Sequence, residues 1–470
     1  MKDSVFYQIF PDRFASSSRL EKPSNLEPWD SPPTPHGFKG GDLLGVVERL
    51  DYLQDLGVTA IYFNPIFAST ANHRYHTFDY FAVDPILGGN AALRELLDQS
   101  HARGIRIVLD GVFNHASRGC YQFNHALENG ASSPYLDWFY FDLQRLRSGK
   151  ALNAYPSSGP RRSSWEDLGY KAWWDLPALP KLNTSTPAVR RFIMEVARFW
   201  VRFGIDGWRL DVPSEIDDDT FWQEFRSVVK EANPEAYIVG EIWDDAKRWL
   251  SGDQFDAVMN YMFTKPVMAY FVDTLDVAEA RKAGGYHSLT PMNQVQFTKA
   301  IDDLLALYDP EVTQAQLNLL DSHDTPRFLT LARGDQSALR LAVLFSFTYP
   351  GAPCIYYGDE IGLEGRQDPD CRRTFPWDEG RWNVELHDYY KRCVELRKRH
   401  PALRRGSFRV VHSADDVYAF ERALGDTRIV VAVNVSRQTR RVALGIGGET
   451  VLAPRSSLVL DNNSKGEIFA

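Results

Sequence analysis

The chain alternates short apolar runs with longer amphipathic segments. The apolar runs span at most six residues, the length of a buried parallel strand, and eight of them stand out: Val5–Phe10, Thr59–Phe63, Ile105–Leu109, Gly207–Leu210, Tyr237–Gly240, Ala257–Met259, Gln316–Leu320 and Cys354–Tyr357. Between them, apolar residues recur every three or four positions, which predicts helices with one buried face. The predicted helices are Leu43–Leu56, Ala91–Ala102, Pro187–Phe203, Thr220–Ala232, Ala338–Phe347 and Asp388–His400.

Eight strands that alternate with helices predict an α/β fold, a (β/α)8 TIM barrel. A doubly wound open sheet is the weaker alternative, because eight is the number of strands that closes a barrel of this kind. Thr186 and Pro187 mark the start of one helix, with a hydroxyl cap and a proline at the first helical position.

Two regions depart from this alternation. The interval between the third and fourth strands is far longer than one helix needs, and it is rich in Ser, Pro, Tyr and Trp, so we expect 116–177 to be an inserted domain B over the active end of the barrel. After residue 400 the period changes to two, with a hairpin signal at Gly425 and Asp426. We therefore expect a catalytic barrel over 1–115 and 178–400 and a C-terminal antiparallel β-sandwich domain over 401–470.

Composition narrows the classes of function. The 470 residues are 44% hydrophobic, which excludes a disordered chain, and 53 basic against 62 acidic residues leave a net charge of −9, which argues against a nucleic-acid partner. No stretch approaches the roughly 18 apolar residues of a membrane span, and the first residues lack a secretory signal, so we expect a cytoplasmic protein without a membrane partner. The four cysteines form no close pair that would indicate zinc or a disulfide framework.

Polar residues gather where predicted strands end, which is where the catalytic groups of such barrels lie. These residues are Asp110 and His115 after the third strand, Arg209 and Asp211 at the fourth, Glu241 after the fifth, and His323, Asp324 and Arg327 after the seventh. Because strand side chains alternate, Arg209 and Asp211 face the same way, and we expect the arginine to hold the carboxylate ionised. Four carboxyls at one barrel end must differ in pKa, as glycoside cleavage requires of its acid and its nucleophile.

These segments resemble the signature regions of the α-amylase family of glycoside hydrolases. Further motifs resemble its neopullulanase, cyclomaltodextrinase and maltogenic amylase branch: residues 179–183 (LPKLN), 240–243 (GEIW), 252–260 (GDQFDAVMN) and 351–358 (GAPCIYYG) followed by Glu360. Many members of this branch carry an N-terminal β domain that helps them form dimers, whereas here the barrel starts at once with Phe6. We therefore leave monomer and homodimer open.

The resemblance implies a role for each site residue. Asp211 would be the nucleophile, Glu241 the general acid and later the base, and Asp324 a stabiliser of the transition state, with Asp110 a structural partner. Retention of anomeric configuration would place the carboxyls of Asp211 and Glu241 about 5 to 5.5 Å apart. The substrate-binding residues would be Tyr75 as sugar platform, Trp243 on the acceptor side, and His76, His115, Arg209, His323 and Arg327.

Each residue also has a structural interpretation. Asp211 and Arg209 can form a plain salt bridge, Glu241 can cap the following helix, and the aromatic and histidine side chains can simply belong to the core. Asn114 and Asp142 are possible calcium ligands, but spacing supplies no complete set, and no organic cofactor is required.

The implied function is a retaining hydrolase of α-1,4-glucosidic bonds, with α-1,6 bonds open, acting on maltodextrins, cyclodextrins, pullulan or starch. His76 stands where exo-acting relatives have Asp, so we expect a cleft open to long chains. Pro213 and Ser214 change the acceptor loop, which leaves linkage preference open. The alternatives are an α-1,6 debranching or transglycosylating enzyme and, more remotely, an inactive carbohydrate-binding homologue.

Overall fold

Eight parallel strands form the centre of the molecule in the computed structural model, which describes residues 1–159, 162–444, 449–462 and 466–469. The strands are β1 (Phe6–Ile9), β2 (Ala60–Phe63), β3 (Arg106–Gly111), β4 (Gly207–Leu210), β5 (Tyr237–Gly240), β6 (Ala257–Val258), β7 (Leu317–Leu319) and β8 (Ala352–Tyr356). Their order in the sheet is β6-β5-β4-β3-β2-β1-β8-β7.

The two ends of this sheet meet. Met259, directly after β6, forms a parallel bridge with Leu317 of β7, and the Asn260 amide donates to the Leu317 carbonyl over 2.8 Å. The predicted barrel is therefore confirmed, and the open sheet is excluded. Parallel strands in a closed barrel direct their carboxyl ends, and the loops that follow them, to one mouth.

Helices surround the barrel close to the predicted positions. The longer ones are Gly89–Ala102, Pro187–Phe203, Asp219–Ala232, Tyr261–Phe271, Gln294–Leu305, Gln336–Thr348 and Val384–Arg399, and shorter ones are Pro11–Phe14, Val277–Ala280, Pro310–Thr313 and Phe328–Leu331. None of the helices in the described ranges is long and apolar enough to cross a membrane.

Two details of the predicted helices were wrong. The helix predicted over Leu43–Leu56 is two helices, Leu43–Val47 and Leu50–Leu56, because Arg49 has φ −112° and ψ 7°, outside the helical region. The Thr186 hydroxyl does not cap its helix; it donates to the backbone carbonyl of Asp137 over 2.6 Å and so ties the helix to the segment before it.

The long interval after β3 contains the helices Tyr121–Asn129, Leu143–Arg147 and Ser164–Leu168. An aromatic cluster lies among them, in which the Phe123 ring centroid is 5.1 Å from that of Phe139 and 4.9 Å from that of Tyr170. A two-stranded hairpin, Phe67–Ser69 with Thr77–Val83, precedes this interval and holds Tyr75 in its turn.

The C-terminal region is antiparallel. After the short helix Pro401–Arg405, one sheet contains Ser407–Ala414, Val417–Leu424, Thr427–Asn434, Ser456–Asp461 and Glu467–Phe469, and a second pairs Arg440–Ala443 with Glu449–Leu452. A turn at Pro454 and Arg455 separates Glu449–Leu452 from Ser456–Asp461, and Arg455 has φ +50°. Alternate residues of the large sheet, such as Val417 and Ala432, pack with Val442 and Leu452 of the small one.

Candidate active site

One guanidinium gathers three carboxyls at the barrel mouth. Arg209 lies in β4 and is fully buried. Its Nη1 is 2.8 Å from Asp110 Oδ2 and 3.1 Å from Asp211 Oδ1, and its Nη2 is 2.9 Å from Glu241 Oε2. The carboxyl ends of three adjacent strands, β3, β4 and β5, therefore place these side chains around a single positive charge.

Asp110 is fixed from several sides. Its Oδ2 accepts hydrogen bonds from the hydroxyls of Tyr62 and Tyr75, each over 2.9 Å, besides those from Arg209. Burial raises the pKa of Asp110 to about 6, although these donors oppose the shift. Sequence reasoning missed Tyr62, because it lies inside the apolar run of β2; the one available signal was a hydroxyl on a strand whose neighbours are otherwise apolar.

Glu241 forms an ion pair with Arg209 and accepts hydrogen bonds from two other groups. The backbone amide of Val212 donates to Oε2 over 3.1 Å, and the Trp243 indole Nε1 donates to Oε1 over 3.2 Å. Val212 has φ +36°, a left-handed conformation that is strained for a β-branched residue. The strained turn after Asp211 thus directs an amide at Glu241.

Asp211 keeps one oxygen free. Its Oδ1 accepts from Arg209, whereas its buried Oδ2 has no hydrogen-bond partner among the described residues. A buried carboxylate oxygen without a donor is costly. A lone pair of this kind is available to attack a bound substrate.

Burial raises the pKa of Asp211 well above its ordinary value, and burial also raises that of Glu241. Arg209 lowers both pKa values, which is the direction expected of it for Asp211, but burial outweighs this effect, so Arg209 does not by itself hold Asp211 ionised. One guanidinium balances one of three carboxylates. The cluster therefore favours retaining a proton, as an acid–nucleophile pair requires.

Asp324 closes the cluster from the loop after β7. Its carboxyl is 3.1 Å from His323 Nε2 and 3.3 Å from Arg372 Nη2, and one third of its side chain is exposed. Burial raises its pKa, while Arg372 and Arg209 lower it. Arg372 was not predicted, because it lies in a loop far along the chain with no strand end to mark it.

The predicted platform Tyr75 stands beside His323. The two rings stack with centroids 5.6 Å apart and planes 5° apart, and the Tyr75 hydroxyl is 2.7 Å from His323 Nε2. Gln8 Nε2 lies 2.9 Å from His323 Nδ1, which makes Nδ1 an acceptor and Nε2 the protonated nitrogen. Burial lowers the pKa of His323 well below its usual range, so this imidazole is neutral.

His115 and His76 also lie in buried surroundings. Burial lowers the pKa of His115 to about 3 and that of His76 to about 4. The His115 ring stacks on Trp173 with a centroid distance of 5.2 Å, and its Nε2 has no partner within the described chain. Both histidines are therefore neutral hydrogen-bonding groups at physiological pH.

Two predicted substrate-binding residues are occupied by other contacts. The Trp243 ring stacks on Tyr261 with centroids 3.6 Å apart. Gly285 also packs against this ring, so closely that a Cβ added to Gly285 would lie 1.8 Å from Trp243 Cε3. Arg327 is fully buried and donates from Nη1 to Asp359 over 2.7 Å. The structure thus brings Trp243 to Glu241, but it does not bring Arg327 to the Arg209 cluster.

Of the two residues considered for calcium, Asp142 has a local structural contact, whereas the buried Oδ1 of Asn114 has no hydrogen-bond partner among the described residues. Asp142 caps the helix Leu143–Arg147 by accepting from the Arg145 amide over 2.9 Å. Within the described ranges, no group of three His, Cys, Asp or Glu side chains is arranged to hold a metal ion.

Known proteins are similar to this chain over most of its length. Residues 8–387 match the family model described as alpha amylase, catalytic domain. Neopullulanase 2 of Thermoactinomyces vulgaris is 44% identical, over 96% of this chain and 73% of its own length, and a cyclomaltodextrinase of a Bacillus species is 45% identical, over 87% and 68%. The crystal structure of a debranching enzyme from Nostoc punctiforme superposes with a TM-score of 0.87 at 43% identity, over 98% of both chains.

Proposed function

Because the chain belongs to the α-amylase family of glycoside hydrolases, we propose that this α-glucan hydrolase retains anomeric configuration through a covalent glycosyl–Asp211 intermediate. The observation that carries the proposal is the Arg209 guanidinium, which lies 3.1 Å from Asp211 and 2.9 Å from Glu241. Two carboxyls on one guanidinium support the short separation of a retaining pair.

In the first step, Asp211 attacks the anomeric carbon with the oxygen that has no hydrogen bond. The bond from that carbon to the glycosidic oxygen breaks, and Glu241 gives its proton to the leaving oxygen. Asp324 contributes negative charge beside the oxocarbenium-like centre and accepts hydrogen bonds from sugar hydroxyls. His115 and His323, both neutral, act as donors to the substrate without adding positive charge.

In the second step, Glu241 is a carboxylate and takes a proton from water. The hydroxide forms a bond to the anomeric carbon, and Asp211 leaves with its electron pair. Two inversions give net retention. Proton NMR of the first product formed from an α-linked oligosaccharide checks this, and an initial β-anomer would refute it.

The substrates we propose are maltodextrins, cyclodextrins, pullulan or starch, cleaved mainly at α-1,4 bonds. The names of the neopullulanase and cyclomaltodextrinase relatives support this range. The debranching enzyme supports the second candidate, an enzyme that prefers α-1,6 bonds or transfers sugars. Product profiles from pullulan, amylopectin, a cyclodextrin and linear oligosaccharides distinguish the candidates. His76 predicts internal cleavage, so release of only glucose or maltose from chain ends would contradict that part.

The test of the acid is Glu241→Gln, which keeps the shape of the side chain and removes its proton. We expect kcat to fall by roughly 10²- to 10⁴-fold, while calorimetry still detects binding of maltohexaose to the variant. Glu231→Gln is the control, because Glu231 is an exposed residue of the helix Asp219–Ala232. Unchanged activity in Glu241→Gln would refute the assignment. A wild-type protein that binds α-glucans and cleaves none would instead support the inactive homologue.

The proposal keeps the remaining expectations from the sequence: a cytoplasmic enzyme without a required cofactor, monomeric or homodimeric. Double displacement between two carboxyls needs no electron or group carrier. Light scattering on the purified chain decides between monomer and dimer.

A further inference from the structure

Three flat rings lead from the barrel mouth to the surface of the inserted segment. His115 stacks on Trp173 with centroids 5.2 Å apart and planes 13° apart, and Trp173 stacks on Trp174 at 4.6 Å and 9°. The outer ring, Trp174, is 75% exposed. A large apolar ring left in water at the end of such a stack is a candidate contact surface.

A cavity of about 290 Å³ lies against this outer ring. A second indole in its wall, that of Trp165, is 40% exposed. Charged side chains also line the cavity, among them Lys171, Lys181 and Glu215. Flat apolar faces with polar groups around them suit a pyranose ring, whose faces carry C–H groups and whose edge carries hydroxyls.

The two tryptophan-bearing segments are held to each other. The Ser164 amide donates to Asp175 Oδ1 over 2.6 Å, and the Ala172 amide donates to Ser164 Oγ over 3.0 Å. Trp174 and Asp175 adopt left-handed backbone conformations, with φ values of +52° and +55°. Non-glycine residues in this region carry backbone strain. The backbone is thus strained in a conformation that presents the indole to solvent.

The cavity is connected to the turn that follows the nucleophile Asp211. Glu215 follows Asp211 on the turn whose Val212 amide donates to the acid Glu241, and Pro213 of the same turn is next to Gly240. Lys181 Nζ donates to the Glu215 carbonyl over 2.9 Å and joins this turn to the wall of the cavity. Because Glu241 protonates the leaving oxygen, the leaving chain passes this side.

We propose that Trp174, with Trp165 in the wall of the same cavity, forms an outlying glucose-binding subsite for the leaving chain. The inference rests on the proposed function, since the direction of the chain follows from the roles of Asp211 and Glu241. The ligand is the reducing-end portion of an α-glucan, and its contact with Trp174 makes the enzyme prefer substrates long enough to reach that ring.

The test uses maltohexaose labelled at its reducing end, because the labelled fragment is the leaving group. In Trp174→Ala we expect kcat/KM for maltohexaose to fall about tenfold relative to that for maltotriose, the loss expected of one stacked ring. The labelled products should shift towards shorter fragments, a change that a merely structural role would not produce. Trp174→Tyr keeps a flat ring and should restore most of the preference.

Tyr121→Ala is the matched control, because Tyr121 is a 64% exposed aromatic residue of the same inserted segment and does not line this cavity. An unchanged length preference and product pattern in Trp174→Ala would overturn the subsite. Calorimetry of maltohexaose on Glu241→Gln, with and without Trp174→Ala, tests binding without turnover. If the wild type and the control cleave no α-glucan, the proposed function fails, whereas equal affinities in this calorimetry would refute the subsite alone.

Discussion

Two buried clusters in this barrel each place one arginine among more carboxyls than it can neutralise. Arg209 meets Asp110, Asp211 and Glu241, and Arg327 pairs with Asp359, whose carboxyl also meets Asp321. Burial raises the pKa of both carboxyls in the second cluster, as it does in the first. Burial and a perturbed pKa therefore do not by themselves distinguish a reactive centre from a structural one.

The clusters differ in where the proton is held. Burial beside Asp321 holds the pKa of Asp359 well above its usual range, so this carboxyl favours its protonated form. Arg327 donates to Asp359, and the Phe328 amide donates to Asp321 over 2.5 Å, so protein groups surround both carboxyls. In the first cluster, each carboxyl contacts the guanidinium, Asp211 has a free oxygen, and Asp324 opens to solvent. A proton that can reach the substrate is what separates the two.

The largest effect is expected from a substitution in the first cluster. Asp211→Asn removes the nucleophilic oxygen, so kcat on maltohexaose should fall on the order of 10⁴-fold. The melting temperature should hold or rise, because one of three carboxyls that share Arg209 is replaced by a neutral amide. Steady-state kinetics and calorimetric melting measure both.

The same change in the second cluster is the control for this experiment. Asp359→Asn should keep turnover within about threefold, since Asp359 contacts Arg327 and not the Arg209 cluster. Equal losses of kcat in Asp211→Asn and Asp359→Asn would remove the distinction between the clusters.

The second cluster should instead respond in stability. Asp359→Leu leaves Arg327 without its partner and should lower the free energy of unfolding by about 3 to 5 kcal/mol. Asp359→Asn can still accept from Arg327 and donate to Asp321, and it should cost far less. Urea unfolding of the two variants compares them.

The pH dependence of that stability follows from the raised pKa of Asp359. Below the unfolded pKa, both states are protonated; above it, the unfolded chain loses a proton that the folded chain retains. The free energy of unfolding therefore falls as pH rises from the pKa of Asp359 in the unfolded chain towards its pKa in the folded chain. Asp359→Asn should flatten this fall, and an unaltered slope would show that the proton is held elsewhere.

The comparison also shows what the sequence could predict. The positions of Asp211, Glu241 and Asp324 at the barrel mouth were predictable because residues that follow strand ends gather there in a closed barrel, and the period of the chain marks those ends. Arg327 follows the same rule as His323 and Asp324, yet it turns away to Asp359. Position along the chain does not determine which way a side chain points from a loop.

The groups that sequence reasoning missed are partners of the predicted ones. Tyr62 and Gln8 lie within apolar strands, and Arg372 lies in a distant loop, so only the folded barrel brings them to Asp110, His323 and Asp324. Such contacts depend on distances in the folded chain, and the periodicity of the sequence carries no information about those distances. The pKa of Asp211 was misjudged for the same reason: the charge of Arg209 was visible, and the depth of burial was not.

The smallest expected effect sharpens the account of the proton on Glu241. The Trp243 indole donates to Glu241 and lowers its pKa by favouring the ionised form. Trp243→Phe keeps a ring between Tyr261 and Gly285 but removes this donor, so the pKa of Glu241 should rise and the acid should stay protonated to higher pH. The alkaline limb of kcat/KM against pH, which reports the coupled pair, should move upward. A limb that stays in place, with only KM changed, would mean that Trp243 acts on the acceptor sugar and not on the acid.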